Sequence, residues 1–409
     1  MEKENVPFKH EVKKTFTEFM TTTPIHGLPQ LMNTKTWYMK IFWIIFIGAL
    51  FGFGIWLVVK AITDYLEHPV VSEVQENIET QMEFPAVTFC NLDPFATQYA
   101  IDHVEAKLIS VFNLSMNDLI QPTWATYSNL KKYQNFILND ISDPSYNVST
   151  KQKFGVSLDK TLIDCHYNEE SCLDTMANNF IWYYSYRYGN CFTFNSGYTF
   201  NTTQPDETSI KNEIPIKLVK KAGPLFGLNF EIFTGVDKSS FSMKTYGAIL
   251  FIHKQTSKPE SKPDSTGVIL LKPGTYSDIA IKKSFTTQVP DPYSDCQDLS
   301  SFKFDRKYFN ILNNEGIKYN QQDCLDLCMQ QEIIDKCNCY FLEFFKLDNQ
   351  TKACLSMDEV NCAYTNYEKF AEKDTVEVCK NQCPLECDSL EYDFTISSSG
   401  KFLRVKKIF

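Results

Sequence analysis

Cysteine is missing from the first 89 residues, although fourteen cysteines follow between Cys90 and Cys387. Positive charge is also scarce: 40 Lys and Arg stand against 50 Asp and Glu, giving a net charge of -10 and a pI near 5.2. That balance excludes a phosphate-binding surface, and with it a nucleic-acid partner. No nucleophile elbow, phosphate loop, metal-binding histidine cluster or carboxylate constellation is visible, so an enzyme has no recognisable machinery and no cofactor is called for. His103, His166 and His253 are scattered and read as structural or exposed. Internal repeats are absent, and the one low-complexity stretch, residues 256–265, reads as an exposed loop. What remains is 43% hydrophobic and 14% aromatic over 409 residues, enough for a large core and more than one domain.

A single long apolar run is present. Residues 41–59 read IFWIIFIGALFGFGIWLVV without a charge, bracketed by Lys40 and Lys60. At about 1.5 Å per residue the run spans roughly 28 Å, the thickness of a bilayer's hydrocarbon. It is apolar on every side rather than amphipathic, which argues against a buried core helix, and forty polar residues precede it, which argues against a cleaved signal. Trp37, Tyr38 and Trp56 fall where interfacial aromatics belong. The predicted domains are a cytoplasmic segment 1–40, a membrane helix 41–62 and an extracellular domain 63–409. Residues 1–40 carry six lysines against four glutamates, whereas residues 63–83 carry six acidic side chains and no Lys or Arg, so the positive end is placed in the cytoplasm. The outer part holds 33 Lys and Arg against 46 Asp and Glu, a net charge of -13. Four glycosylation sequons, at Asn113, Asn147, Asn201 and Asn349, all follow the run. Gly48 and Gly52 form a G-x-x-x-G pair that would let a second helix approach closely, although glycine is common in such segments.

Thiols placed this densely on the outer side point to disulfides. In isolation Cys337-x-Cys339 and Cys324-x3-Cys328 are alternatives as zinc ligands. Cys324 and Cys328 share one face of a helical stretch, as do Cys379 and Cys383, so antiparallel segments would be cross-linked as Cys324–Cys383 and Cys328–Cys379. Cys296 and Cys387 would close the outside of this nest, with Cys337, Cys339, Cys354 and Cys362 stapling the intervening loop, though spacing alone leaves the connectivity open. Upstream, an acidic stalk over residues 63–80 leads into a strand over 84–91. Helical stretches are expected near 100–112 and 129–141, and further strands at 226–233, 247–253, 267–271 and 276–282. Residues 142–212 read as short loops around the aromatic cluster 182–188, which suits core packing better than a ligand platform. Glu169 and Glu170, with Glu368, Glu372, Asp374 and Glu377, read as solvated faces.

Several of these motifs together resemble the degenerin/epithelial sodium channel family, which includes acid-sensing and peptide-gated members. FPAVTFCN at 84–91 resembles its hallmark strand, GNCFTFN at 189–195 and GPLFGL at 223–228 its further signatures, and His26-Gly27 its cytoplasmic His-Gly pair. The resemblance implies an α+β membrane protein with a β-sheet palm, finger, knuckle and β-ball regions, and a disulfide-laced thumb over 296–387. It also implies the pairs Cys90–Cys191, Cys165–Cys172, Cys296–Cys387, Cys324–Cys383, Cys328–Cys379, Cys337–Cys362 and Cys339–Cys354. His26 and Gly27 would belong to a re-entrant segment of the conduction path. Tyr293, in PYSDC at 292–296, would couple thumb to pore with Tyr65 as its partner. The implied function is a plasma-membrane subunit of a trimeric, sodium-selective, amiloride-sensitive channel, homomeric or heteromeric, conducting sodium ions and gated by a proton, peptide or other extracellular stimulus. No second apolar run follows Cys387, so the second span and its filter are expected to be missing, from a shortened chain, an incomplete gene model or a naturally short modulatory subunit. The alternative is a single-span type II membrane protein with a cysteine-rich binding ectodomain.

Overall fold

The computed structural model describes residues 8–24, 27–174, 176–200, 211–234, 246–255, 267–298, 307–314, 317–371, 378–379 and 381–400. The expected loop over 256–265 lies outside them. The chain divides into two compact units, residues 1–75 and 76–409. In the first, the apolar run forms a 30-residue helix, Trp37–Leu66, four residues longer at each end than the 41–62 expected. None of its residues is buried within the chain, as hydrocarbon rather than protein would require. The acidic segment that follows, residues 68–79, forms no regular element.

The second unit is built on a five-stranded antiparallel sheet in the order Val268–Leu271, Ala248–His253, Ala86–Asn91, Gly189–Phe194, Phe180–Ser185. Its three central strands are buried on both faces, which their continuous β-branched and aromatic runs allow. Because strand side chains alternate, Val87, Phe89, Phe192, Phe194, Leu250 and Ile252 fill one face, and Cys90, Cys191, Ile249 and Phe251 the other. Several strands went unforeseen, among them the central Gly189–Phe194 and the later strand Asp388–Gly400. Phe180–Ser185 lies inside the stretch read as loops, and so does Leu162–Tyr167, where Asp164 and His166 interrupt the apolar pattern.

A second core lies among helices Gln98–Phe112, Trp124–Ile141 and Val148–Phe154. Side-chain caps fix their starts: Thr97 Oγ1 accepts the Ala100 N–H at 3.2 Å and Asn147 Oδ1 that of Thr150 at 2.9 Å. Between the first two helices Asp140 accepts from His103 at 2.8 Å and Lys107 at 2.7 Å. Burial alone would raise its pKa, but those two donors hold the carboxyl below its usual range. A third core surrounds helix Gln321–Cys337. Its buried Gln330 is satisfied by both backbone groups of Phe341, at 2.9 and 3.0 Å. A 13-residue antiparallel ladder, Thr275–Thr287 with Asp388–Gly400, packs Ile279, Ile281, Leu390 and Phe394 onto the sheet.

His253 ends a central strand and is buried. Its Nδ1 lies 2.8 Å from the Lys254 carbonyl, which can only accept, so Nδ1 carries the proton of the neutral ring. The bare Nε2 then accepts from Thr88 Oγ1 at 2.8 Å, and Thr88 accepts from Thr193 at 2.7 Å. Burial pushes the imidazole pKa down from 6.5 to about 4. The unfolded chain therefore binds this proton more readily, so the contribution is complete above pH 6.5 and is lost as pH falls toward 4. Thermal unfolding of the full chain in detergent should show His253→Gln removing a pH dependence of up to about 3 kcal/mol across that window. An unchanged slope in the variant would remove His253 as its source.

Candidate functional site

The first unit folds back on its own membrane helix. Helix Phe8–Thr22 and the short helix Leu28–Asn33 flank a turn at Gly27, whose φ of +102° is disfavoured for any residue with a Cβ. A Cβ there would lie 3.0 Å from Ile47 Cγ1 and 3.7 Å from Trp43. Ile47 is six residues inside the apolar run, about 9 Å along the helix, so the turn sits beside a part of it that belongs in hydrocarbon. Non-helical backbone at that depth is tolerated where it packs on protein. His26 lies outside the described residues. Gly48 and Gly52 point elsewhere: a Cβ at either meets nothing within 4 Å, so this stripe is open. Near the helix end Lys60 Nζ lies 5.5 Å over the Trp56 ring, and Tyr65 is exposed against His68.

In the second unit the fourteen cysteines pair as Cys90–Cys191, Cys165–Cys172, Cys296–Cys387, Cys324–Cys383, Cys328–Cys379, Cys337–Cys362 and Cys339–Cys354, so each of the four considered for zinc is held in a disulfide with a cysteine outside that set. Among the described residues no group of three or more His, Cys, Asp or Glu could hold a metal. Cys90 and Cys191 face each other across neighbouring strands with Cα atoms 4.3 Å apart. Where a second helix was expected to carry Cys379 and Cys383, the Cys383 N–H returns to the Cys379 carbonyl at 2.9 Å, closing one helical turn. That turn places both sulfurs opposite Cys328 and Cys324.

Tyr293 stands, 44% exposed, on a short arch between the ladder and this nest. Both feet of the arch are pinned to residues 385–387. Gln288 N–H donates to Cys387 O and Gln297 N–H to Leu385 O, each at 2.8 Å, and Cys296 is bonded to Cys387. Tyr65 belongs to the first unit and Tyr293 to the second.

The aromatic cluster is a structural junction. Tyr186 is buried and shares a 3.0 Å hydrogen bond with Tyr364, and Tyr184 donates to the Ile141 carbonyl at 3.1 Å. Burial drives both tyrosine pKa values far upward, so neither ionises near neutrality. Arg187, unremarked in the sequence, donates through Nε to the largely buried Glu343 and through Nη2 to Tyr367 Oη at 3.2 Å. Of the sequons, Asn113, Asn147 and Asn349 are exposed, and Asn201 lies outside the described residues.

The sequence pattern of the amiloride-sensitive sodium channel family matches residues 19–407. The human bile acid-sensitive ion channel is 24% identical over 412 residues, covering 98% of this chain and 73% of the relative. The FMRFamide-activated amiloride-sensitive sodium channel of Cornu aspersum is 26% identical, over 77% of this chain and 46% of its own length. The epithelial sodium channel alpha subunit of Anolis carolinensis is 23% identical, over 96% of this chain and 69% of the relative. With a match that takes in the turn at Gly27, the membrane helix and the long ladder, the chain belongs to the amiloride-sensitive sodium channel family, whose members are ion channels and not enzymes.

Proposed function

We propose that the chain is a subunit of a trimeric, sodium-selective, amiloride-sensitive channel of the plasma membrane, its amino terminus cytoplasmic and its second unit extracellular. The carrying observation is the family match over residues 19–407, which takes in the membrane helix, the turn at Gly27 and the cysteine nest together. In this reading the nest is the thumb, the ladder and central sheet are the palm, and exposed Asn113, Asn147 and Asn349 carry glycans. The helix Trp37–Leu66 supplies one wall of the pore region. The open stripe of Gly48 and Gly52 supports contact with a neighbouring subunit's helix, and relatives that are alpha and gamma subunits support assembly with chains of the same family. The arch carrying Tyr293 passes a stimulus-driven movement of the thumb to the pore, because its two feet cannot shift independently.

Oocytes expressing the complete gene should carry a sodium current blocked by amiloride. Silence across acid steps and candidate neuropeptides, with the protein at the surface, would count against conduction and favour a binding ectodomain on a single span. Tyr293→Ala should alter gating at near-normal surface expression, and wild-type currents in this variant would end the proposed role.

At Gly27 the expected strain has two parts. Gly27→Ala imposes about 1–2 kcal/mol of backbone cost, roughly a 5- to 30-fold shift away from the docked turn, plus the overlap with Ile47. Single-channel recording should show a changed open probability, and adding Ile47→Ala should restore only the steric share. If the double variant matches Gly27→Ala, the contact with Ile47 does not matter.

A further inference from the structure

A groove of about 840 Å³ on the second unit is walled by three segments distant in sequence: residues 91–99, residues 149–160, and residues 233–234 with 246–247. Three aromatic side chains stand open in its lining, Tyr99 at 44%, Tyr246 at 45% and Phe233 at 58% exposure. Together with Ala96 and Val156 they give an apolar wall that no part of the described chain covers. The volume falls within the range of about 300–1,000 Å³ typical of small-molecule sites.

The walls are held in place from behind. Asn190 donates to the Gln152 carbonyl at 2.8 Å and accepts from Trp182 Nε1 at 3.0 Å, and a Cβ at Gly155 would come within 2.8 Å of it. Across the groove Asn91 Nδ2 donates to the Thr234 carbonyl at 2.6 Å. The concavity is thus preformed.

Its polar character has a definite sign. Lys153 and Lys160 are exposed in the lining, and neither takes part in a salt bridge among the described residues. Asp93 is the one acidic residue of the lining, and its carboxylate accepts the Phe95 N–H of its own turn at 3.0 Å. The Lys153 ammonium lies 5.9 Å from the Tyr99 ring, setting the positive charge beside the apolar wall. Helix Gln98–Phe112 also begins in the lining, adding the positive end of its dipole. On a region of net charge -13 this local reversal disfavours cations.

We propose that the groove binds a small organic anion with an apolar body, a carboxylate or sulfonate whose head lies between Lys153 and Lys160 and whose body rests on Tyr99, Phe233 and Tyr246. The proposal stands on this lining alone and does not depend on conduction.

Calorimetry on the full chain in detergent micelles tests it with three probes that share one body and differ in the head: 4-phenylbutyrate, 4-phenylbutanol and 4-phenylbutylammonium. Saturable 1:1 binding of 4-phenylbutyrate is expected, with the alcohol weaker and the ammonium compound giving no measurable heat. Loss of two exposed lysines should weaken 4-phenylbutyrate about tenfold in the Lys153→Gln/Lys160→Gln variant. The Lys153→Arg/Lys160→Arg variant should retain binding, and Tyr246→Ala should reduce it. Equal binding of all three probes, no binding of 4-phenylbutyrate, or an unchanged affinity in the double glutamine variant would each overturn the proposal. Because heat is read rather than current, a silent channel would leave this result standing, and a conducting channel would not supply it.

Discussion

A buried carboxamide holds the meeting point of the three cores. Asn139, on helix Trp124–Ile141, donates to the Cys354 carbonyl inside the cysteine nest and accepts from Tyr186 of the sheet hairpin at 3.4 Å. Tyr186 in turn reaches Tyr364 on helix Met357–Ala371. A buried amide without partners is costly, whereas a fully joined network fixes one relative placement of its members. Leu138 and Tyr364 pack against both helical cores at the same place, so apolar contact and polar satisfaction select a single arrangement. Arg187 and Glu343 add a charged hydrogen bond at the edge of this junction.

The disulfides give the junction something stiff to act on. Bridges spanning 51 and 59 residues bind one helical turn to helix Gln321–Cys337 at two levels, and two cross-links four residues apart remove both sliding and rotation. Each bridge that closes a loop of this size restricts the unfolded chain by about 2–4 kcal/mol, which adds to the apolar packing around helix Gln321–Cys337. Cys296–Cys387 then ties the nest to the start of the long ladder, and the arch that carries Tyr293 spans the step between them. Durability outside the cell is served by the same bonds. Geometry alone distinguishes the arch, whose feet share one short segment.

Local pattern made part of this legible. The β-branched and aromatic runs at 86–91 and 248–253 read as strands because they are buried on both faces, and the four-residue spacing of Cys324 with Cys328 and of Cys379 with Cys383 suggested crossed pairing. Residues 162–167 hid their strand because Asp164 and His166 point outward from a core facing Leu162 and Cys165, which imitates a polar loop. Val148–Phe154, with Ser, Thr, Gln and two lysines, buries little beyond Phe154 and left no helical stripe to see. Tyr186 and Arg187 were visible as residues but not as a junction, since their partners lie 47 to 180 positions away. His253 looked like one scattered histidine among three, and only the pairing of its strand with residues 86–91 brings Thr88 within reach. The groove had no motif, because each wall comes from a different part of the chain.

The membrane unit depends on two faces of one helix. Trp43 and Ile47, one turn apart, are occupied by the turn at Gly27, and only a residue lacking a Cβ fits there at that backbone angle. Gly48 and Gly52, also one turn apart and about 140° around the helix from the first pair, face nothing within 4 Å among the described residues. Lipid can cover an apolar helix but gains little from a groove of glycines, whereas a second helix gains close backbone contact there. The occupied face thus keeps the turn at Gly27 against its own helix, and the smooth face stays open among the described residues. A helix finished on one side and open on the other is the form expected of a subunit rather than of a self-sufficient anchor.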